Sequence, residues 1–204
     1  MNLLTMMNIN KDLFKEYIDL FIEENHKINL ISKNDEQFLW EKHICDSLAL
    51  GKVFQKYNEP STLLDFGTGG GFPSVPLAIA YPSIKITALD SIAKKIRAVQ
   101  NFKDALNLKN LYPVCSRVEK YDDKFDIVTS RAVSSLKNIV GYGLPKLKKG
   151  GLFVAFKSKK TEQEIEDAQS EIKKFNAKII DIIKYELPTI EDLERNLIII
   201  SKSN

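Results

Sequence analysis

The chain has 204 residues, 44% of them apolar and 28% charged, which predicts one buried core with at most a short appendage and excludes a disordered chain. No apolar run approaches the roughly 18 residues a membrane span needs. Residues 1–10 mix Asn into their apolar stretch and offer no small-residue cleavage site, so the expected compartment is the cytoplasm. The net charge of +3 permits a nucleic-acid partner without requiring one.

In residues 11–24, Leu13, Phe14, Tyr17, Ile18, Phe21 and Ile22 recur at a period near 3.6, which predicts an amphipathic helix. Asn34 or Asp35 is placed to cap a second helix to residue 50, with Phe38, Leu39, Ile44, Leu48 and Leu50 inward, and residues 52–57 add a further turn before Pro60. From Thr62 the pattern alternates strand and helix. Residues 62–66 are a buried apolar run ending in glycines. Pro73 suits a first helical turn, and residues 75–80 continue it. Strands are predicted at 85–89, 110–115, 125–130 and 152–156. Helices are predicted at 91–106, 136–147 (closed by a Lys149-Gly150-Gly151 turn) and 162–175. Residues 178–185 and 196–201 lack an obvious helix between them and are expected to form an antiparallel hairpin at a sheet edge. Repeated β–α units imply an open α/β sheet, mostly parallel and seven-stranded, with helices on both faces. Residues 1–60 are then a helical extension packed on a core of residues 61–204.

Cys45 and Cys115 are the only cysteines, and His26 and His43 the only histidines. Their spacing fits neither a zinc nor a redox site, so no metal is expected, and both cysteines are expected to be small buried hydrophobes.

The sharpest constellation is Leu64-Asp65-Phe66-Gly67-Thr68-Gly69-Gly70-Gly71-Phe72-Pro73. Glycines between a buried strand and a helix let the chain turn sharply and lie close to a ligand, at the carboxyl end of a strand where open α/β sheets bind. The dinucleotide version needs a third glycine in the GxGxxG frame, and Phe72 holds that place. Asp65 would sit badly beside a diphosphate but suits the cationic amino-acid end of S-adenosylmethionine. Asp90, 23 residues after Gly67, stands where an acid accepts hydrogen bonds from ribose hydroxyls, the lesser alternative being a cap for the helix that follows. Val118 and Glu119 follow the third strand, where an adenine would meet an apolar contact and an acceptor; the alternative is an exposed helix start. These residues favour S-adenosylmethionine over NAD.

Residues 65–73, Leu89-Asp90-Ser91-Ile92-Ala93-Lys94-Lys95-Ile96-Arg97, Arg117-Val118-Glu119, Thr129-Ser130-Arg131-Ala132, Asn29-Leu30 and Glu41-Lys42-His43-Ile44-Cys45-Asp46-Ser47-Leu48 together resemble the bacterial small-subunit ribosomal RNA methyltransferase G family, also called glucose-inhibited division protein B. The resemblance spans roughly residues 25–160. It implies a Rossmann-like methyltransferase fold and an enzyme that methylates N7 of one guanine in 16S ribosomal RNA, working as a monomer on the RNA or the small subunit. Carried over, it assigns Gly67, Phe72, Val118, Glu119 and Arg131 to the cofactor site, to which the reading of the loop and strands adds Gly69, Asp65 and Asp90. Where the family has a glycine after Phe-Pro this chain has Ser74, and the small residue within the loop is Gly70, read here as added flexibility.

Methyl transfer to N7 needs orientation more than proton transfer, because that nitrogen carries a lone pair and no proton. No residue is therefore assigned as a general base, and Arg131 and His43 are candidate orienting residues. Arg131 could alternatively pair with Asp65 or another acid, and His43 could be a packing residue that shares a helix face with Asp46. Lys146, Lys148, Lys149, Lys157, Lys159 and Lys160, with Lys94, Lys95 and Arg97, are candidates for phosphate contacts or for a solvated face. Phe72, Tyr81 and Tyr142 are candidates for base stacking. The rival readings are a small-molecule or protein methyltransferase on the same fold, a non-catalytic ribosome-assembly factor and, last, an NAD oxidoreductase.

Overall fold

The computed structural model describes residues 10–131, 134–158, 161–188 and 194–202. Helix α1 spans Lys11–Ile28, a turn longer than its sequence pattern predicts. The Asn10 side chain accepts from the Leu13 N–H at 3.1 Å, satisfying an orphan donor of the first turn, and Asn29 ends the helix in the left-handed region at φ 52°. Phe14, Tyr17 and Phe21 are fully buried along one face.

The single helix expected to residue 50 is broken into pieces. Ser32, not Asn34 or Asp35, caps the short α2 at Lys33–Glu36. A π-helical stretch, Leu39–Cys45, then leads into α3 at Asp46–Leu48, and α4 spans Gly51–Tyr57. Leu39 and Ile44 are five residues apart and both buried. A 3.6-residue turn would carry them to different faces, whereas the wider π turn brings them to one.

From Thr62 the chain builds a seven-stranded sheet in the order β3-β2-β1-β4-β5-β7-β6. Strands β1 (Thr62–Phe66), β2 (Lys85–Asp90), β3 (Leu111–Cys115), β4 (Phe125–Arg131) and β5 (Leu147–Lys157) run parallel. Strand β7 (Glu194–Lys202) is antiparallel to both β5 and the edge strand β6 (Ala177–Glu186), which is the hairpin expected at the edge. Pro113 lies in β3, which among the described residues pairs with β2 alone, so its missing N–H leaves the ladder intact.

Helices α5 (Ser74–Ala80), α6 (Ala93–Ala105), α7 (Leu136–Gly143) and α8 (Thr161–Lys174) cover the two faces. One apolar cluster joins α1, α4, α5 and α6 to Leu63, Ile86 and Ile199; the other joins α7 and α8 to Leu64, Phe153 and Ile198. Alternation along each strand feeds both clusters, so the central strands are buried on both sides.

The expected turn at Lys149-Gly150-Gly151 is a bulge inside β5. Gly150 takes φ +76°, and a Cβ at Gly151 would meet the Asp126 carbonyl at 2.9 Å, so a strand irregularity required these glycines rather than a helix stop. No helix among the described residues is long and apolar enough to cross a membrane. Ala132, Lys159 and Lys160 lie outside the described residues.

Candidate functional site

The loop after β1 is shaped by backbone conformation. Gly67, Gly69 and Gly71 have φ of 72°, 58° and 93°, a region that costs side-chain-bearing residues strain. The Gly67 and Thr68 N–H groups both donate to the Leu89 carbonyl, at 2.7 and 3.0 Å, tying the loop to the end of β2. Gly70 has a packing role rather than a flexible one: a Cβ there would lie 3.2 Å from Leu30 and 3.3 Å from the Phe21 ring.

A cavity of about 490 Å³ opens at the carboxyl ends of β1, β2 and β3. Gly67, Asp90, Val118 and Glu119 line it, four residues that sequence reasoning placed together across fifty positions. Asp90 is buried, with 9% exposure. Its Oδ2 accepts from the Gly69 N–H at 3.0 Å and its Oδ1 from the Ile92 N–H at 2.9 Å. Each carboxylate oxygen retains a lone pair for a further donor from the cavity. The N-cap position of α6 belongs to Ile92, not to Asp90. Val118 and Glu119 stand on a single 3₁₀ turn, Val118–Lys120. Ile92, Lys95, Arg117 and Tyr142 also line the cavity. None had been assigned to a cofactor; the available signal was that Ile92 and Arg117 flank Asp90 and Val118 in the chain.

Asp65, Phe72 and Arg131 do not line this cavity. Side chains alternate along a strand, so with Phe66 in the cavity wall Asp65 turns to the opposite face. There it is fully buried, its Oδ2 accepting from Ser74 Oγ at 2.6 Å while Thr68 Oγ1 donates to the same Ser74 Oγ at 3.1 Å. Its Oδ1 has no hydrogen-bond partner among the described residues. Burial pushes its carboxyl up to about 7, against the opposing hydrogen bond from Ser74. Gly69 serves through its N–H to Asp90. Phe72 is 4% exposed, its ring packed against Tyr17, Phe21 and His43.

A second cavity, of about 470 Å³, is lined by Lys42, His43, Asp46, Arg131, Lys157 and Arg195 among others. Arg131 ends β4, the neighbour of β1, so both cavities belong to the carboxyl edge of the sheet. Its guanidinium donates to Asp46 Oδ2 at 2.9 Å, to the Lys42 carbonyl at 3.3 Å and to His43 Nδ1 at 2.9 Å, and lies 5.1 Å from the Phe72 ring centre. The ion-pair alternative is thus realised with Asp46, which is buried, and not with Asp65. Arginine only donates, so His43 Nδ1 must accept and the proton of the neutral ring sits on Nε2. Burial first, then the Arg131 charge, hold the imidazole down at about 4. A neutral ring with its lone pair engaged is no general base at pH 7.

The remaining candidates separate by position. Lys146 is buried, Lys148 pairs with Asp126 at 3.0 Å, and both flank Leu147, which is in register with Phe125 at the start of β4. These lysines, with Lys149, therefore occupy the end of the sheet away from both cavities. Lys157 is at the near end and pairs with Glu164 at 2.6 Å. Tyr81 packs edge-on against Phe54, whereas Tyr142 is 40% exposed at the first cavity. Cys45 is buried, its thiol pushed up to about 12, but Cys115 is exposed, contrary to expectation: it is the last residue of β3, an edge strand.

Residues 10–197 match the family model GidB, described as rRNA small subunit methyltransferase G. The chain is 40% identical over 195 residues to the Ribosomal RNA small subunit methyltransferase G of Staphylococcus saprophyticus, covering 93% of this chain and 80% of the relative. It is 38% identical over 205 residues to the protein of the same name from Lachnoclostridium phytofermentans, covering 96% and 84%. Among solved structures, an S-adenosylmethionine-dependent methyltransferase from Clostridium acetobutylicum superposes with a TM-score of 0.64 at 15% identity, over 83% of this chain and 96% of that one. An S-adenosylmethionine-dependent O-methyltransferase from Thermotoga maritima gives 0.60 at 16% identity, over 78% and 66%. At such identities the structural likeness speaks for the fold alone.

Proposed function

Because the chain belongs to the rRNA small subunit methyltransferase G family, we propose that it transfers the methyl group of S-adenosylmethionine to N7 of one guanine in 16S ribosomal RNA. In this reading it acts in the cytoplasm as a monomer on the RNA or the small subunit. Residues 61–204 are the catalytic domain and residues 1–60 an extension packed on it. The observation that carries the cofactor assignment is the convergence of Gly67, Asp90, Val118 and Glu119 on one cavity at the strands' carboxyl ends.

The residues present fit that cofactor. Asp90 offers free carboxylate lone pairs to a pair of ribose hydroxyls. Val118 and Ile92 supply apolar walls for an adenine, Glu119 an acceptor for its amine, and Lys95 and Arg117 cationic partners for a carboxylate. When bound, the cofactor supplies an electrophilic methyl group on a sulfonium. The chain's part is to hold the acceptor in line and exclude water, and orientation of this kind contributes several kcal/mol to the barrier reduction.

Arg131 orients the guanine or its phosphate from the second cavity, held by Asp46 and His43. N7 presents a lone pair and loses no proton, which agrees with a site whose histidine is neutral and already engaged. The test is transfer of labelled methyl from S-adenosylmethionine to small subunits purified from cells lacking the protein, followed by nucleoside mapping. One N7-methylguanosine in 16S RNA is expected. Label on another atom, on ribosomal protein, or nowhere would overturn the reading.

A further inference from the structure

Asp46 is 5% exposed and is held from two sides. Arg131 donates to its Oδ2 at 2.9 Å. The Tyr185 hydroxyl donates to its Oδ1 at 2.6 Å, and Arg195 Nε lies 3.8 Å from that oxygen. Tyr185 is itself 7% exposed and lies on β6, 139 residues along the chain, in a hairpin where no functional residue was expected. A carboxylate bonded through one oxygen can swing about its Cβ–Cγ bond; bonded through both, by side chains from β4 and β6, it is held. That carboxylate is the charged partner of the Arg131 guanidinium and directs it together with His43 Nδ1 and the Lys42 carbonyl.

We infer that Tyr185 is a positioning residue for the methyl transfer, fixing Asp46 and through it the Arg131 guanidinium at the second cavity. The inference rests on the proposed function for the reaction it serves. Plain docking of the hairpin does not need this buried phenol. Strand β6 pairs with β7 from Ala177 to Glu186, with one shift of register between Ile179 and Asp181, and is tied to α4 by Asp181, which accepts from Lys56 at 2.6 Å and from Tyr57 at 3.1 Å.

The experiment compares the wild type, Tyr185→Phe and Lys56→Ala on small subunits lacking the modification. It reads kcat, KM for subunits, S-adenosylmethionine affinity by calorimetry, and the melting temperature. Tyr185→Phe is expected to lower kcat roughly tenfold to a hundredfold, the size of effect a displacement of about an ångström produces, with cofactor affinity within about twofold of wild type. Lys56→Ala, which loosens the hairpin elsewhere, is expected to keep kcat. Undiminished kcat in Tyr185→Phe, an equal loss in Lys56→Ala, or a parallel loss of cofactor affinity overturns the inference. Should Tyr185→Phe melt below the assay temperature, Asp46→Asn decides, and retained kcat there overturns it as well. A wild-type protein that leaves the subunits unmethylated sinks the functional reading and this inference together; a methylating wild type beside an undiminished Tyr185→Phe sinks the inference alone.

Discussion

Asp90 does two jobs with one carboxylate. Its oxygens hold the Gly69 and Ile92 N–H groups, bracing the glycine loop against the entry to α6, and its remaining lone pairs face the cavity. Hydrogen bonds to a charged group contribute about 1.5–3 kcal/mol each, so Asp90→Ala is expected to weaken S-adenosylmethionine binding tenfold or more in a calorimetric titration. Unchanged affinity would contradict the ribose assignment. The half-buried His43 and the buried Asp65 make stability depend on pH with opposite signs. His43 titrates at 6.5 in the unfolded chain and at about 4 in the fold. The unfolded state therefore binds more protons between these values, and stability is lost as pH falls through that window. Asp65 moves from 3.8 to about 7, so the folded state binds more protons there, and stability is lost as pH rises from about 4 to 7. Asp65→Asn removes the second effect alone. Its melting temperature relative to wild type is expected to rise between pH 5 and pH 8, and a gap that does not change with pH would exclude an Asp65 proton in the fold.

At the scale of elements, α1 lines neither cavity but packs behind the glycine loop. Phe21 is fully buried, its ring centre 5.1 Å from Phe72 and 5.8 Å from Phe102, and with Leu30 it crowds the place a Cβ at Gly70 would take. Phe21→Ala is expected to cost about 3–5 kcal/mol in urea unfolding, the usual range for a buried phenylalanine. A loss under 1 kcal/mol would mean that α1 is only loosely docked. The existence and type of α1, α5 and α6 could be read from apolar period and turn residues, because one buried stripe per helix leaves a regular trace. The interrupted helix through Leu39–Cys45 could not. Its five-residue spacing of Leu39 and Ile44 has meaning only once both are seen to meet the same core. The glycines of the β5 bulge were equally ambiguous, since φ > 0 serves a turn and a strand irregularity alike.

For the molecule as a whole, the direction of the parallel strands sorts the positive charge. Lys94 and Arg97, three residues apart on α6, are exposed on the helix that follows β2 at the cavity end, whereas Lys148 and Lys149 belong to the opposite end of the sheet. Lys94→Ala with Arg97→Ala is expected to weaken binding to small subunits and to flatten its salt dependence by about one unit of slope for each phosphate no longer neutralised. Lys148→Ala with Lys149→Ala is expected to leave both unchanged; the reverse pattern would put the RNA on the other end of the molecule. Apolar periodicity and the glycine loop by themselves determined the fold class, the cavity and its acid, because these depend on residues near in sequence or repeated at a fixed period. The network of Asp46, Arg131 and Tyr185 was decided only by the tertiary structure. Its members come from the short helix α3, a central strand and an edge hairpin, and no local pattern reports which distant donors a buried carboxylate will find.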